Sequence, residues 1–254
     1  MPKDWRKENI MTKLYKKSEI TFAILWIVAY VVLTSVADQL SETIGVRKSV
    51  TAALHIVMTL ILFFWIRNNS LSGKYGFCRS IVPMKRFLYY LPLILIASTA
   101  FLGGAKLQYD LPESLLYVIS MCCVGFLEEV IFRGLLFKAM EKDNLKTAIL
   151  VSSLTFGLGH IVNLFNGSGR DLTSSITQIV FAVLVGFVLV LIFYHGKSLI
   201  PCILFHSANN ALKVFYTEGS LNPQAELVLN LLLIVLVLGG YSLFLVMTFS
   251  KKTD

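Results

Sequence analysis

Charge is scarce in this chain. Of its 254 residues only 15% are charged and 56% are hydrophobic, whereas a soluble domain normally carries about 25% charged residues. The few charges sit in short clusters between apolar runs long enough to cross a bilayer as helices. An ordinary soluble domain is therefore excluded. Cysteine is scarce too: Cys78, Cys122, Cys123 and Cys202 are the only four. Two are adjacent and three lie in apolar runs, so neither a disulfide framework nor a zinc-ligand spacing is visible, and small apolar packing is their expected role. No internal repeat, low-complexity tract or second domain is present. The net charge of +8 comes without a base-reading motif or an aromatic-basic platform, and its Lys and Arg flank the apolar runs. The expected partner is thus the lipid bilayer and not nucleic acid. A cleavable leader is not expected: the first 17 residues are polar and basic, and the first apolar run is too long for an h-region and lacks a small-residue cleavage site. That run should stay as a signal anchor. Ile10, Met11, Leu14 and Tyr15 repeat at helical spacing, which predicts a segment lying along the membrane surface.

The apolar runs predict an all-α polytopic membrane protein with about eight transmembrane helices. Their approximate ranges are 20–39, 49–66, 87–104, 114–137, 147–164, 173–194, 199–217 and 226–249. They form one transmembrane domain over 20–249, between a basic cytosolic segment (1–19) and a cytosolic tail (250–254). Pro92 is expected to kink the third run, while Pro112 and Pro201 sit near helix starts, where proline is tolerated. With the N-terminus inside, 17 Lys and Arg face the cytosol and five face out: Arg47, Lys48, Lys106, Arg170 and Lys213. This bias predicts an even number of spans in the cell membrane, with both termini cytoplasmic.

Polar residues inside the runs are costly. A charge at the bilayer centre costs about 2.5–3.5 kcal/mol on insertion scales, so it is a functional suspect by default. The fourth run holds Glu128-Glu129-x-x-x-Arg133. On a helix Glu129 and Arg133 are i,i+4 neighbours and can pair. Glu128 lies about 100° around the helix and is left without a partner there. The fifth run holds Phe156-Gly157-Leu158-Gly159-His160, in which the two glycines leave room for another helix beside His160. The seventh holds His206-Ser207-Ala208-Asn209-Asn210, with His206 and Asn210 on one side. Those two suit either an oxyanion site or an interhelical clasp. At 1.5 Å per residue, Glu128 lies about 15 Å from its cytosolic helix end, His160 about 20 Å, and His206 and Asn210 about 11–17 Å. All fall in one band. His55 and His195 are read as packing or interfacial residues, and Asn163 and Gln178 as helix contacts.

At these residues the sequence resembles the CAAX prenyl protease and bacteriocin-processing (CPBP, or Abi) membrane family. Its E-E-x-x-x-R, F-x-x-x-H and H-x-x-x-N motifs stand here, in order, as Glu128 to Arg133, Phe156 to His160 and His206 to Asn210. The resemblance covers roughly 85–215. It implies an eight-helix intramembrane endopeptidase with its site open toward the cytosol, acting on a peptide or membrane-protein substrate. It also implies that Glu128 and His160 activate water, that Glu129 and Arg133 support them, and that His206 and Asn210 hold the oxyanion. Bacterial members accompany bacteriocin or peptide processing, or self-immunity. No cofactor is expected. A zinc-dependent protease is the alternative, since two His and a Glu form a legitimate zinc set with an open fourth position, although H-E-x-x-H is absent. A non-catalytic scaffold or immunity protein that binds a peptide, and a transporter, are the other readings. The residues do not specify the oligomeric state.

Overall fold

A computed structural model of the chain describes residues 9–164, 172–216 and 222–250. Arg170, Lys251, Lys252, the first eight residues and the side chain of Asn163 lie outside what it describes, as does most of the expected tail. The described residues are helical and contain no strand.

Each start is written locally. Asn9 caps α1 (Ile10–Lys17) by accepting from Met11 N at 2.8 Å. Ser18 caps α2 (Glu19–Ile44) by accepting from Thr21 N at 3.1 Å, satisfying a donor the helix leaves open. Gly45, at φ 77°, closes α2 in the left-handed conformation that glycine adopts freely. The chain returns as α3 (Ser49–Asn68). α1 does not float free: Met11, Leu14 and Tyr15 pack on the core, with Tyr15 edge-on to Trp65 at 5.1 Å.

The run expected over 87–104 holds only α4 (Leu91–Ser98), preceded by a 3-10 turn from Met84 and followed by one over Thr99–Phe101. Pro92 does not kink a long helix; it lies in the first turn of a short one. A continuous helix would drive its ring into the carbonyl of Leu88. The chain instead turns left-handed at Leu88, Tyr89 and Tyr90, with φ of 50°, 51° and 59°.

Asp110 caps α5 (Leu111–Glu128) through Glu113 N at 3.0 Å, with Pro112 in the first turn. The helix continues as a π-helix over Glu129–Phe137 and ends as α6 (Lys138–Met140). α7 (Leu145–Leu158) runs into a 3-10 stretch, Gly159–Leu164. α8 (Leu172–Gly196) precedes α9 (Ile200–Ala211), which holds Pro201 in its first turn and continues as 3-10 over Leu212–Phe215. α10 (Pro223–Leu232), a second π-helix (Leu233–Gly239) and α11 (Gly240–Ser250) form the last long element.

Among the described residues five helices are long and apolar enough to cross a membrane: Glu19–Ile44, Ser49–Asn68, Leu111–Met140, Leu172–Gly196 and Gln224–Phe249. They answer to five of the eight expected runs. The other three carry the shorter helices α4, α7 and α9. All nine residues of the first π-helix are buried, and it packs against α2 and α7. Large apolar side chains such as Val28 and Val32 on α2, Phe64 on α3 and Leu243 on α11 are exposed. An apolar exterior around a core that holds charge is the arrangement of a protein solvated by lipid.

Candidate active site

The centre of the molecule is the junction of α5 and its π-helix. Glu128 is the last residue of one and Glu129 the first of the other. π-helical turns are rare and are found frequently at functional sites. The i,i+4 pair expected from the sequence forms despite the wider turn: Arg133 Nη1 donates to Glu129 Oε1 at 2.9 Å, and both side chains are fully buried. The guanidinium also lies over the Phe156 ring of α7, 4.0 Å from its centroid. Gly186 of α8 makes this possible, since a Cβ there would stand 3.2 Å from both Arg133 Nη2 and Phe156 Cδ1.

His206 of α9 reaches the same carboxylate, its Nδ1 standing 2.7 Å from Glu129 Oε1. A carboxylate can only accept, so Nδ1 carries a proton. The other ring nitrogen, Nε2, faces Glu128 Oε2 at 3.4 Å. Arg133, Glu129, His206 and Glu128 thus form one alternating line of charge and hydrogen bonding. Phe156 lies edge-on beneath His206 at 5.5 Å.

Glu128 has no partner on its own helix, as the spacing indicated, but it is not alone. Tyr30 of α2 donates its hydroxyl to Glu128 Oε1 at 2.7 Å. Helical spacing could not reveal this, because the partner is 98 residues away. The one sequence signal is depth. Tyrosine belongs at the membrane interface, and Tyr30 lies mid-helix.

His160 stands where α7 tightens into its 3-10 extension. Its Nδ1 is 3.2 Å from the carbonyl of Phe156, one turn back. With Nδ1 donating there, Nε2 holds the lone pair. The His160 ring lies edge-on to that of Phe156 at 5.5 Å, the same ring that lies edge-on to His206. Of the expected set, His160 and Asn210 are the two that no hydrogen bond among the described residues joins to the other four. The Asn210 backbone carbonyl accepts from Tyr117 at 3.4 Å, and its side-chain oxygen faces Asn209 Nδ2 at 3.5 Å.

The helices meet closely. A Cβ on Gly125 would lie 2.6 Å from Ser207 Cα, and Ser207 Oγ donates to the Cys122 carbonyl at 3.0 Å. Of the two glycines beside His160, only Gly157 admits a neighbour, with Val183 N 2.9 Å from a would-be Cβ. Gly159 has nothing within 4 Å, so the expectation that both serve close packing is corrected.

His55 is buried, its Nε2 3.0 Å from Thr34 Oγ1 and its Nδ1 3.0 Å from Ser120 Oγ. His195 stacks on Phe249 at 4.0 Å. Among the described residues no three His, Cys, Asp or Glu side chains are arranged to hold a metal ion.

Residues 110–212 match the family model described as Type II CAAX prenyl endopeptidase Rce1-like. All six expected site residues fall in that stretch, and the resemblance drawn from the three motifs is borne out over it. No curated protein and no solved structure matches the chain.

Proposed function

From the family match over residues 110–212, which supports an intramembrane protease of the CAAX type, we propose that the protein is a glutamate-dependent, metal-free endopeptidase. Its substrate is a peptide or the end of a membrane protein, cut within the lipid layer. The observation that carries this reading is the convergence of α5, its π-helix and α9: Glu128 and Glu129 both face one imidazole, at 3.4 and 2.7 Å, inside a molecule built of long apolar helices.

In this mechanism Glu128 and His160 are the bases. A water beside them loses a proton as its oxygen attacks the scissile carbonyl. The developing oxyanion is met by His206 Nε2–H, with Asn210 turning its amide toward the same point. Glu129 has a defined part in this: by accepting from Nδ1 it fixes the plane of the ring and so the direction in which Nε2 faces. Arg133 holds the Glu129 carboxylate in place by pairing with it at 2.9 Å. When the C–N bond breaks, the protonated base returns its proton to the leaving amine.

The proposal extends to topology: eight passes of the cell membrane, both termini in the cytoplasm and the site open to that side. Contacts at the two ends of the molecule support the count. Ile81 N donates to the Gly196 carbonyl at 2.9 Å at one end, and Gln108 N donates to the Val214 carbonyl at 2.8 Å at the other. Residues 81–108 therefore traverse the molecule despite the shortness of α4, and α9 with its extension returns the same way. The cellular role is peptide processing or self-immunity.

The test compares cells making the wild-type chain with cells making Glu128→Gln. Wild-type membranes should release peptides that the variant leaves intact. A farnesylated peptide with a CAAX end, offered beside its unfarnesylated form, tells whether the prenyl group is required. Equal cleavage by Glu128→Gln would sink the mechanism, as would stoichiometric zinc whose removal abolishes cleavage. An undiminished cellular phenotype in that variant would leave a binding protein in place of a peptidase.

A further inference from the structure

Tyr30 and His55 lie outside the stretch that matches the family, on helices that the sequence reading marked only as apolar. We propose that Tyr30 is a positioning residue for Glu128, and that His55 is the plate that holds Tyr30 in place.

Glu128 needs such a residue. Its side chain has several rotatable bonds and no partner on its own helix, and an unheld carboxylate loses the alignment with its reaction partner on which rate depends. Tyr30 fixes one oxygen, Oε1, at 2.7 Å. The other, Oε2, is then left toward His206 Nε2. Tyr30 is buried, with 7% of its surface exposed. It follows Glu19, the first residue of α2, by 11 residues, which puts it about 16 Å along the helix. That is the band expected for Glu128 and His206. A phenol hydroxyl at such depth must find an acceptor, and this one points at the carboxylate of the site.

The hydroxyl is aimed by more than its own bond. The Tyr30 ring stacks on His55 of α3, with centroids 5.9 Å apart and planes 28° apart. His55 is fully buried and commits both ring nitrogens to neighbouring hydroxyls: Nε2 to Thr34 and Nδ1 to Ser120. Thr34 lies one turn beyond Tyr30 on α2, and Ser120 lies on α5, the helix that carries Glu128. Three helices thus set the plane of one imidazole, and that imidazole sets the plane of the tyrosine. A fully buried imidazole has two nitrogens to satisfy, and here they are satisfied from two different helices. Two bonds from different helices, spent on a ring beneath Tyr30, link the first hairpin rigidly to the site.

The test is made on the full chain in detergent and in proteoliposomes, and its first arm needs no substrate. Thermal unfolding of Tyr30→Phe, Glu128→Ala and the double variant should show coupling, the second change costing less once the first is made. Strict additivity would overturn the bond. In the second arm, which rests on the peptidase reading, the probe is the farnesylated CAAX peptide, or any peptide found cleaved by wild type and not by Glu128→Gln. Tyr30→Phe should lower kcat about 10- to 100-fold, the worth of a hydrogen bond to a charged group. KM should stay within about twofold, since the residue does not touch the substrate. Because an unfolded fraction would also lower apparent kcat at unchanged KM, kcat is taken per folded molecule, counted from the amplitude of the unfolding transition in the first arm. Wild-type kcat in Tyr30→Phe overturns the positioning role. Should Tyr30→Phe not accumulate, Thr34→Val, which frees one side of His55, should lower kcat roughly two- to tenfold; an unchanged kcat there overturns the clamp. Cleavage retained by Glu128→Gln would instead defeat the peptidase reading, and the unfolding cycle would still decide the Tyr30–Glu128 bond.

Discussion

Arg133 and Glu129 differ from the other buried residues because neither tolerates the loss of its partner. Removing one member of a buried pair leaves an uncompensated charge and costs about 3–5 kcal/mol, whereas replacing both by apolar residues is often neutral. Arg133→Met should therefore unfold well below the wild-type temperature, and Arg133→Met combined with Glu129→Leu should recover most of that loss. Activity should not return with stability, because Glu129 Oε1 also receives His206 Nδ1. Thermal unfolding and peptide cleavage, measured on the same two variants, separate the roles. If the double variant cleaves like wild type, Glu129 does not orient His206. The i,i+4 spacing made the ion pair legible in the sequence, because it is a property of one helix. The bond from His206 to the same oxygen was not, since it depends on how α9 rotates against α5. Tyr30 escaped for the same reason. Spacing put Asn210 on the same side as His206 and the resemblance gave the pair its role, but the contact of its side-chain oxygen with Asn209 was not legible.

Helices bring these residues together only where side chains are missing. Gly125 and Gly157 are the two sites beside the motifs where an added methyl would meet backbone, at 2.6 Å from Ser207 Cα and 2.9 Å from Val183 N. Backbone cannot rotate aside, so Gly125→Ala should push α9 away from α5 and carry His206 with it. Overpacking of this kind costs about 1–3 kcal/mol, and a shift of about 1 Å at a reacting group can cost 100-fold in rate. Gly157→Ala should loosen α7 from α8 to a similar degree. Gly159→Ala, with nothing within 4 Å, should stay within about 0.5 kcal/mol of wild type. Unfolding of the three variants side by side checks this. A neutral Gly125→Ala would mean that the close approach of α5 and α9 is not required. The sequence offered Gly157 and Gly159 as equals, and only the direction each faces tells them apart. The π-helix was equally hidden: Glu129–Phe137 has the composition of an ordinary span, and its extra residue per turn comes from tertiary packing.

Across the whole molecule, the cations sort by end. Arg47 lies over the Tyr109 ring at 4.6 Å, and its backbone N–H donates to Glu113 Oε1 at 2.8 Å. Phe101 stacks on Phe215 at 5.4 Å. Residues near Arg47, Lys106 and Lys213 therefore share one end. At the other, Lys74 bonds Glu19 and Tyr15 at 2.7 Å each, and Leu199 N donates to the Gly76 carbonyl at 2.9 Å, beside Lys197. This grouping was legible in the sequence as charge bias, because cations are kept out of the apolar layer wherever the helices end. The shortness of α4, α7 and α9 was not, because hydropathy measures how apolar a run is and not whether it is helical throughout. The two ends together make a definite prediction. On a background without the native cysteines, Lys106→Cys and Lys213→Cys should react with a membrane-impermeant maleimide on intact cells. Lys142→Cys and Lys197→Cys should react only after permeabilisation. The positive-inside bias sets which end is labelled, and the contacts of Phe101 with Phe215 and of Gln108 with Val214 set that Lys106 and Lys213 behave alike. Labelling of all four from the reverse side would invert the protein and turn the site away from the cytosol. Labelling of Lys106→Cys and Lys213→Cys from opposite sides would break the eight-pass topology itself, because α4 or α9 would then fail to carry the chain from one end of the molecule to the other.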